Sequence, residues 1–146
     1  MKLTFKKLKE NAVIPQRATS GSAGLDLCAC IDAPVEILPG GIALIPTGLS
    51  AQPERNDTAL MIYPRSGLAS RYGVALANCV GVVDSDYRGE ICVPLINHGN
   101  APFIVENGMR IAQLVVTPVI LPEIEVSTSL SDTERGCGGF GSTGLN

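Results

Sequence analysis

Asn78-Cys79-Val80-Gly81-Val82-Val83-Asp84-Ser85-Asp86-Tyr87-Arg88-Gly89-Glu90 is the stretch on which the fold turns. Residues 80–83 read as a buried strand, Asp84-Ser85-Asp86 as a turn, and residues 90–96 as the next strand. Turn formers between two β-branched runs predict a β-hairpin. The turn region carries Asp84, Asp86, Tyr87 and Arg88, flanked by Gly81 and Gly89. A backbone without Cβ atoms admits close approach by a ligand. Two readings are open at this point: a polar hairpin tip, or a pocket with a carboxylate as base and Tyr87 as a flat wall.

Working outward, residues 103–106 read as a strand with Asn107-Gly108 as its turn, and residues 110–119 as the longest strand. Upstream, residues 3–8, 23–29, 35–38, 42–49 and 58–63 read as strands, with a polar loop over residues 51–57. Pro64 ends the last of these, and Ser66 is the expected N-cap of one short helix over residues 66–72. Asp26 interrupts an apolar strand and needs a partner, because a lone buried charge is costly. Both alternating faces of residues 91–96 are apolar, which points to a subunit interface as well as a core. Many short strands punctuated by Gly and Pro predict an all-β antiparallel sandwich or jelly roll. The composition changes at Pro122, so residues 1–122 are the expected core and residues 123–146 a C-terminal arm with a Gly-rich end. Residues 123–126 have the composition of one more strand.

Bulk composition narrows the function classes. A chain of 146 residues is one domain by default. At 45% hydrophobic but only 4% aromatic residues, its core must be aliphatic. A net charge of -3 disfavours sequence-independent binding to duplex nucleic acid, and no apolar run is long enough to span a bilayer. Cysteines 28, 30, 79, 92 and 137 form no Cys-x-x-Cys pair, and His98 is the single histidine. A zinc site is therefore not expected, and free thiols in a reducing cytoplasm are. All Lys residues lie in the first nine positions, and every later cation is Arg, the side chain suited to bidentate phosphate contacts.

Three further segments carry chemistry. Pro64-Arg65-Ser66-Gly67 opens the helix with a guanidinium beside a hydroxyl, where helix amides favour anions; an ordinary capped helix is the plainer reading. In Arg110-Ile111-Ala112-Gln113 two polar residues interrupt an apolar strand, and regular alternation places them on opposite faces. The end, Arg135-Gly136-Cys137-Gly138-Gly139-Phe140-Gly141-Ser142-Thr143-Gly144, matches the spacing of a dinucleotide fingerprint. That match is rejected, since no helix follows; glycine amides and hydroxyls can still wrap phosphate oxygens, while a flexible low-complexity end is the bland reading.

Taken together, residues 23–29, 64–70, 78–90, 110–113 and 135–144 resemble, in order and across nearly the whole chain, the trimeric all-β deoxyuridine triphosphate nucleotidohydrolases, the dUTPases. The resemblance implies a distorted antiparallel jelly roll of the β-clip type, and a homotrimer whose active sites are shared between subunits. It implies Mg²⁺-assisted hydrolysis of dUTP to dUMP and pyrophosphate, which limits uracil in DNA and supplies dUMP for dTMP synthesis. By residue, it implies that Asp84 activates the water and that Tyr87 packs under the deoxyribose, leaving no room for a 2′-hydroxyl. Asn78 and the backbone around Gly81 would read uracil. Arg65, Ser66, Gly67 and Gln113 would bind phosphates. Asp26 would hold Mg²⁺ through water, with Arg110 in a structural or electrostatic role nearby. The arm would close with Phe140 on uracil, Gly141 beside it, and Arg135, Ser142 and Thr143 near the γ-phosphate. Arg88 and Glu90 read as structural or exposed.

Two rival readings remain. A dCTP deaminase shares the fold, but the Asp84–Tyr87 spacing and the Gly-rich end favour dUTP hydrolysis. A non-catalytic protein that binds the nucleotide as a signal is the other.

Overall fold

The computed structural model describes residues 1–139. Their strands are β1 (Leu3–Lys7), β2 (Leu25–Cys28), β3 (Val35–Ile37), β4 (Ile42–Pro46), β5 (Leu49–Pro53), β6 (Thr58–Pro64), β7 (Val74–Leu76), β8 (Gly81–Val83), β9 (Cys92–Asn97), β10 (Phe103–Val105) and β11 (Arg110–Pro118). One helix, α1 (Ser66–Tyr72), joins β6 to β7. The strands form a four-stranded sheet β2-β11-β6-β8, a three-stranded sheet β4-β9-β7, and the two-stranded ribbons β1-β5 and β3-β10. Every pairing is antiparallel. This is a jelly-roll-like all-β architecture.

The core between these layers is aliphatic, as the shortage of aromatics requires. Leu27, Ile45, Leu60, Leu95, Ile111 and Leu114 are fully buried in one cluster. The polar groups that enter it are paired, which avoids the cost of an orphaned donor or acceptor. The Asn97 amide donates to the carbonyls of Ile37 and Ala101 at 2.9 and 2.8 Å. The Thr47 hydroxyl donates to the Ile91 carbonyl at 2.7 Å.

Several expectations are corrected. The segments on either side of Asp84 do not form a hairpin with each other. β8 pairs with β6, while β9 pairs with β4 and β7, so the Asp84 turn crosses from one sheet to another. β8 is also not buried throughout, since Val82 points outward. The expected strand over residues 42–49 is two strands, broken at Thr47-Gly48, where Gly48 takes φ +68°. β5 then occupies part of the expected loop: Leu49, Ser50, Ala51 and Pro53 are buried despite the polar neighbours. β7 was not foreseen, because three residues after a helix carry no readable periodicity. Arg65, not Ser66, is the N-cap, and no side chain caps the helix; Ser66 is its first residue. The helix ends on Gly73 in the left-handed region, a conformation that favours glycine. Residues 123–126 form no strand.

In β9, Val93, Leu95 and Asn97 are buried, while Cys92, Pro94 and Ile96 are only half-buried. These three lie opposite Pro46, Leu44 and Ile42 of β4, of which Ile42 is 62% and Leu44 65% exposed. The sheet therefore has one face in the core and an apolar outer face that a single chain leaves open.

Candidate active site

The site residues fall into groups built on different strands. In the first, Asp26 on β2 lies opposite Gln113 on β11, and Arg65 follows the end of β6, the strand on the other side of β11. Arg65 Nε donates to Asp26 Oδ1 at 3.1 Å, and Arg110 Nη1 donates to Oδ2 at 3.1 Å. This supplies the partner that Asp26 requires. Two guanidiniums against one carboxylate leave net positive charge at a surface cleft of ≈ 370 Å³ lined also by Ser22, Gly24, Ser66, Gly67 and Gln113. The chemistry of this cleft is that of an anion site.

Regular alternation would have put Arg110 and Gln113 on opposite faces. A register shift between Arg110 and Ala112, where β11 pairs with β2, cancels the alternation. Ile111 and Ala112 are buried in succession, and Arg110 and Gln113 both line the cleft. The Gln113 amide donates to the Pro64 carbonyl at 3.0 Å, which fixes its orientation. Gly24, which sequence reasoning did not single out, makes room for it: a Cβ there would lie 2.7 Å from Gln113 Oε1.

The second group is the Asp84 turn. Asp84 and Tyr87 line a cleft of ≈ 330 Å³ with Leu44, Val82, Val83, Glu90, Ile91 and Cys92. Asp84 also borders a neighbouring cleft of ≈ 710 Å³ with Ser85, Asp86, Asn56 and Leu121. The turn is closed on itself: the Tyr87 amide donates to the Asp84 carbonyl at 3.2 Å, and Arg88 Nη1 donates to the carbonyls of Ser85 and Tyr87. Among the described residues none bonds to the Asp84 carboxylate, which is free to accept a bond from water. The Tyr87 hydroxyl donates to the Glu90 carbonyl at 3.0 Å. Gly89 is required under that ring, since a Cβ there would fall on the phenol. Burial first, and then the Glu90 carboxylate, push the Cys92 thiol up, so it stays protonated and is no rival nucleophile.

Asn78 and Gly81 sit together and line neither of these clefts. Cys79 between them takes φ 63°, and the Val80 amide donates to the Asn78 carbonyl at 2.7 Å. A Cβ at Gly81 would meet Ile62 at 3.2 Å and the Asn78 amide at 3.4 Å. Arg135 is exposed and donates from Nε to the Gly138 carbonyl at 2.9 Å, with no place in either cleft. Phe140, Gly141, Ser142 and Thr143 lie outside the described residues.

One chain does not unite the anion cleft with the Asp84 cleft, which share no lining residue. Asp26 faces Gln113, Gln113 faces Tyr63, and Leu60, three residues before Tyr63, faces Val83. Asp84 is therefore offset from Asp26 by roughly 14 Å across the sheet and roughly 13 Å along it, at standard sheet spacings.

The dUTPase family model matches residues 10–144. The deoxyuridine 5'-triphosphate nucleotidohydrolase of Desulfitobacterium hafniense is 49% identical over 146 residues, covering 100% of this chain and 97% of that one. That of Treponema denticola is 51% identical over 141 residues, covering 97% of each. The dUTPase of Staphylococcus bacteriophage 80alpha, solved with dUpNHpp, superposes with a TM-score of 0.87 at 26% identity, covering 99% of each chain. With the family model spanning nearly its whole length and relatives at about half identity, the chain belongs to the dUTPase family.

Proposed function

We propose that this chain, a dUTP nucleotidohydrolase by family, breaks the bond between the α- and β-phosphates of dUTP with a water activated by Asp84, giving dUMP and pyrophosphate. The observation that carries the proposal is the Asp84 carboxylate, without a bonding partner among the described residues, sharing a cleft with the Tyr87 ring. A carboxylate in that state takes a proton from water, while the ring supplies a wall for the deoxyribose. Asp86 borders only the neighbouring cleft and is the weaker candidate. Arg65, Ser66, Gly67 and Gln113 hold the phosphates. Phosphoryl transfer needs positioning and charge neutralisation more than covalent help, and this anion cleft provides both. Asn78 and the backbone at Gly81 read uracil.

The donor set fits a magnesium ion held mainly by the substrate. Among the described residues no three His, Cys, Asp or Glu side chains converge. Asp26 has one ion pair on each oxygen, which leaves lone pairs for a bridging water and no room for a closed cage. Mg²⁺ keeps several waters and takes phosphate oxygens readily. When bound, it supplies charge neutralisation to the triphosphate.

Three features of the single chain support assembly into a homotrimer. The anion and Asp84 clefts are too far apart for one chain to place both on one triphosphate. The outer face of β4 and β9 is apolar and open. Ile124, Val126 and Leu130 are exposed apolar side chains that a neighbouring chain would cover. Arg135, Phe140, Gly141, Ser142 and Thr143 then complete a neighbour's site. All five cysteines are free thiols, consistent with a reducing cytoplasm, and no helix of the described residues is long and apolar enough to cross a membrane.

The test is release of pyrophosphate from a panel of deoxynucleoside triphosphates, with Mg²⁺ and then with chelator. Pyrophosphate from dUTP alone, lost on chelation, is the expected outcome. Ammonia from dCTP without pyrophosphate would overturn it in favour of deamination.

A further inference from the structure

Tyr87 is 46% exposed, so packing alone does not hold its ring. Its tilt is set by the bond from its hydroxyl to the Glu90 carbonyl, at 3.0 Å, and by the bare backbone of Gly89 beneath it. What, then, holds Glu90? Its carboxylate oxygen Oε1 accepts a bond from the Gly48 amide at 2.7 Å, in the corner between β4 and β5. Around this bond the same corner grips the backbone on both sides of Glu90. The Ser50 hydroxyl donates to the Arg88 carbonyl at 2.8 Å, the Ile91 amide donates to the Leu49 carbonyl at 2.8 Å, and the Thr47 amide and hydroxyl donate to the Ile91 carbonyl at 3.2 and 2.7 Å.

The corner itself is closely packed. Gly48 takes φ +68°, and a Cβ there would lie 2.8 Å from both Ala12 Cβ and Cys30 Sγ. Its carbonyl accepts from the Leu8 amide at 2.7 Å. Ala12, Cys30 and Leu49 are buried in a small cluster of their own beside it. A charge-assisted bond to an amide held this firmly transmits position rather than merely adding stability. A wall that excludes one hydroxyl depends on placement to about 1 Å, the scale at which misplacement already costs large factors in rate.

We propose that Glu90 is a positioning residue for sugar discrimination: it couples the Tyr87 phenol to the rigid β4–β5 corner and so sets how fully a ribose 2′-hydroxyl is excluded. The inference rests on the reading of Tyr87 as the wall beneath the deoxyribose, and it assigns to Glu90 a role beyond a structural or exposed charge.

The readout is the ratio of kcat/KM for dUTP to that for UTP, which a purely structural brace would leave unchanged while altering thermal stability. Glu90→Ala is expected to lower the ratio by about tenfold or more. Glu90→Gln, which keeps an oxygen for the Gly48 amide, retains most of it. Tyr87→Phe, which keeps the ring and the Glu90 side chain but removes the hydroxyl bond, lowers the ratio as Glu90→Ala does, and decides the matter if Glu90→Ala does not fold. Tyr87→Ala serves as reference. If it loses discrimination while Glu90→Ala or Tyr87→Phe keeps it, the positioning role is overturned. If Tyr87→Ala itself keeps discrimination, the reading of Tyr87 as the wall is what fails.

Discussion

Asp84 and Asp86 stand two positions apart in one turn, and a sequence offers little to choose between them. Placement separates them. Asp84 borders the cleft that contains Tyr87, and Asp86 does not. Asp84→Asn is expected to lower kcat by about 10³, the usual scale for loss of a general base. The asparagine is nearly isosteric, so dUTP binding measured by calorimetry should persist; turnover near the wild-type rate would remove Asp84 as the base. Asp26 shows the converse case. Its identity demanded a partner, and the structure supplies Arg65 and Arg110, residues 39 and 84 positions away in sequence. Gly24 and Gly89 are a third case, because their value lies in the side chains they make room for, Gln113 and Tyr87. Nothing in the residues beside a glycine announces that.

Elements were legible where hydrophobic runs were long. β6, α1 and β11 lie close to where apolar runs and Pro64 place them. The short β3, β8 and β10 were also anticipated, but β5 and β7 were not: burial of Ser50 and Ala51 is decided by what folds over them, not by their own polarity. The bulge in β11 is the most consequential local departure. One extra residue turns Arg110 toward the same cleft as Gln113, and a strict period of two forbids that. The β4–β5 corner invites a direct test. Gly48→Ala combines an unfavourable φ with a Cβ pressed against Ala12 and Cys30, and is expected to cost about 2–4 kcal/mol. Urea unfolding would read this as a lowered midpoint with unchanged slope; an unaltered midpoint would mean that the corner yields.

At the scale of the whole molecule, the single chain keeps its two clefts apart. Its anion cleft and its Asp84 cleft share no residue, and the outer face of β4 and β9 presents Ile42, Leu44, Pro94 and Ile96 to solvent. Open apolar faces of this kind mark association surfaces. Ile42→Glu places a charge on that face without touching either cleft. Sedimentation should show a species smaller than a trimer, and turnover should fall with it. A monomeric Ile42→Glu protein with full activity would contradict a site shared between chains.

The all-β class, the aliphatic core and the ordered set of five segments that carry the family resemblance are legible in the residues alone, because each rests on composition, local periodicity or residue identity. Tertiary structure decided the rest. It alone showed that the strands flanking Asp84 belong to different sheets, that a bulge gathers Arg110 with Gln113, and that Glu90 ties Tyr87 to Gly48. The physical reason is common to all three. Strand partners and hydrogen-bond acceptors are chosen among residues far apart in sequence, by which arrangement buries the most apolar surface with every polar group paired. No local pattern carries that choice.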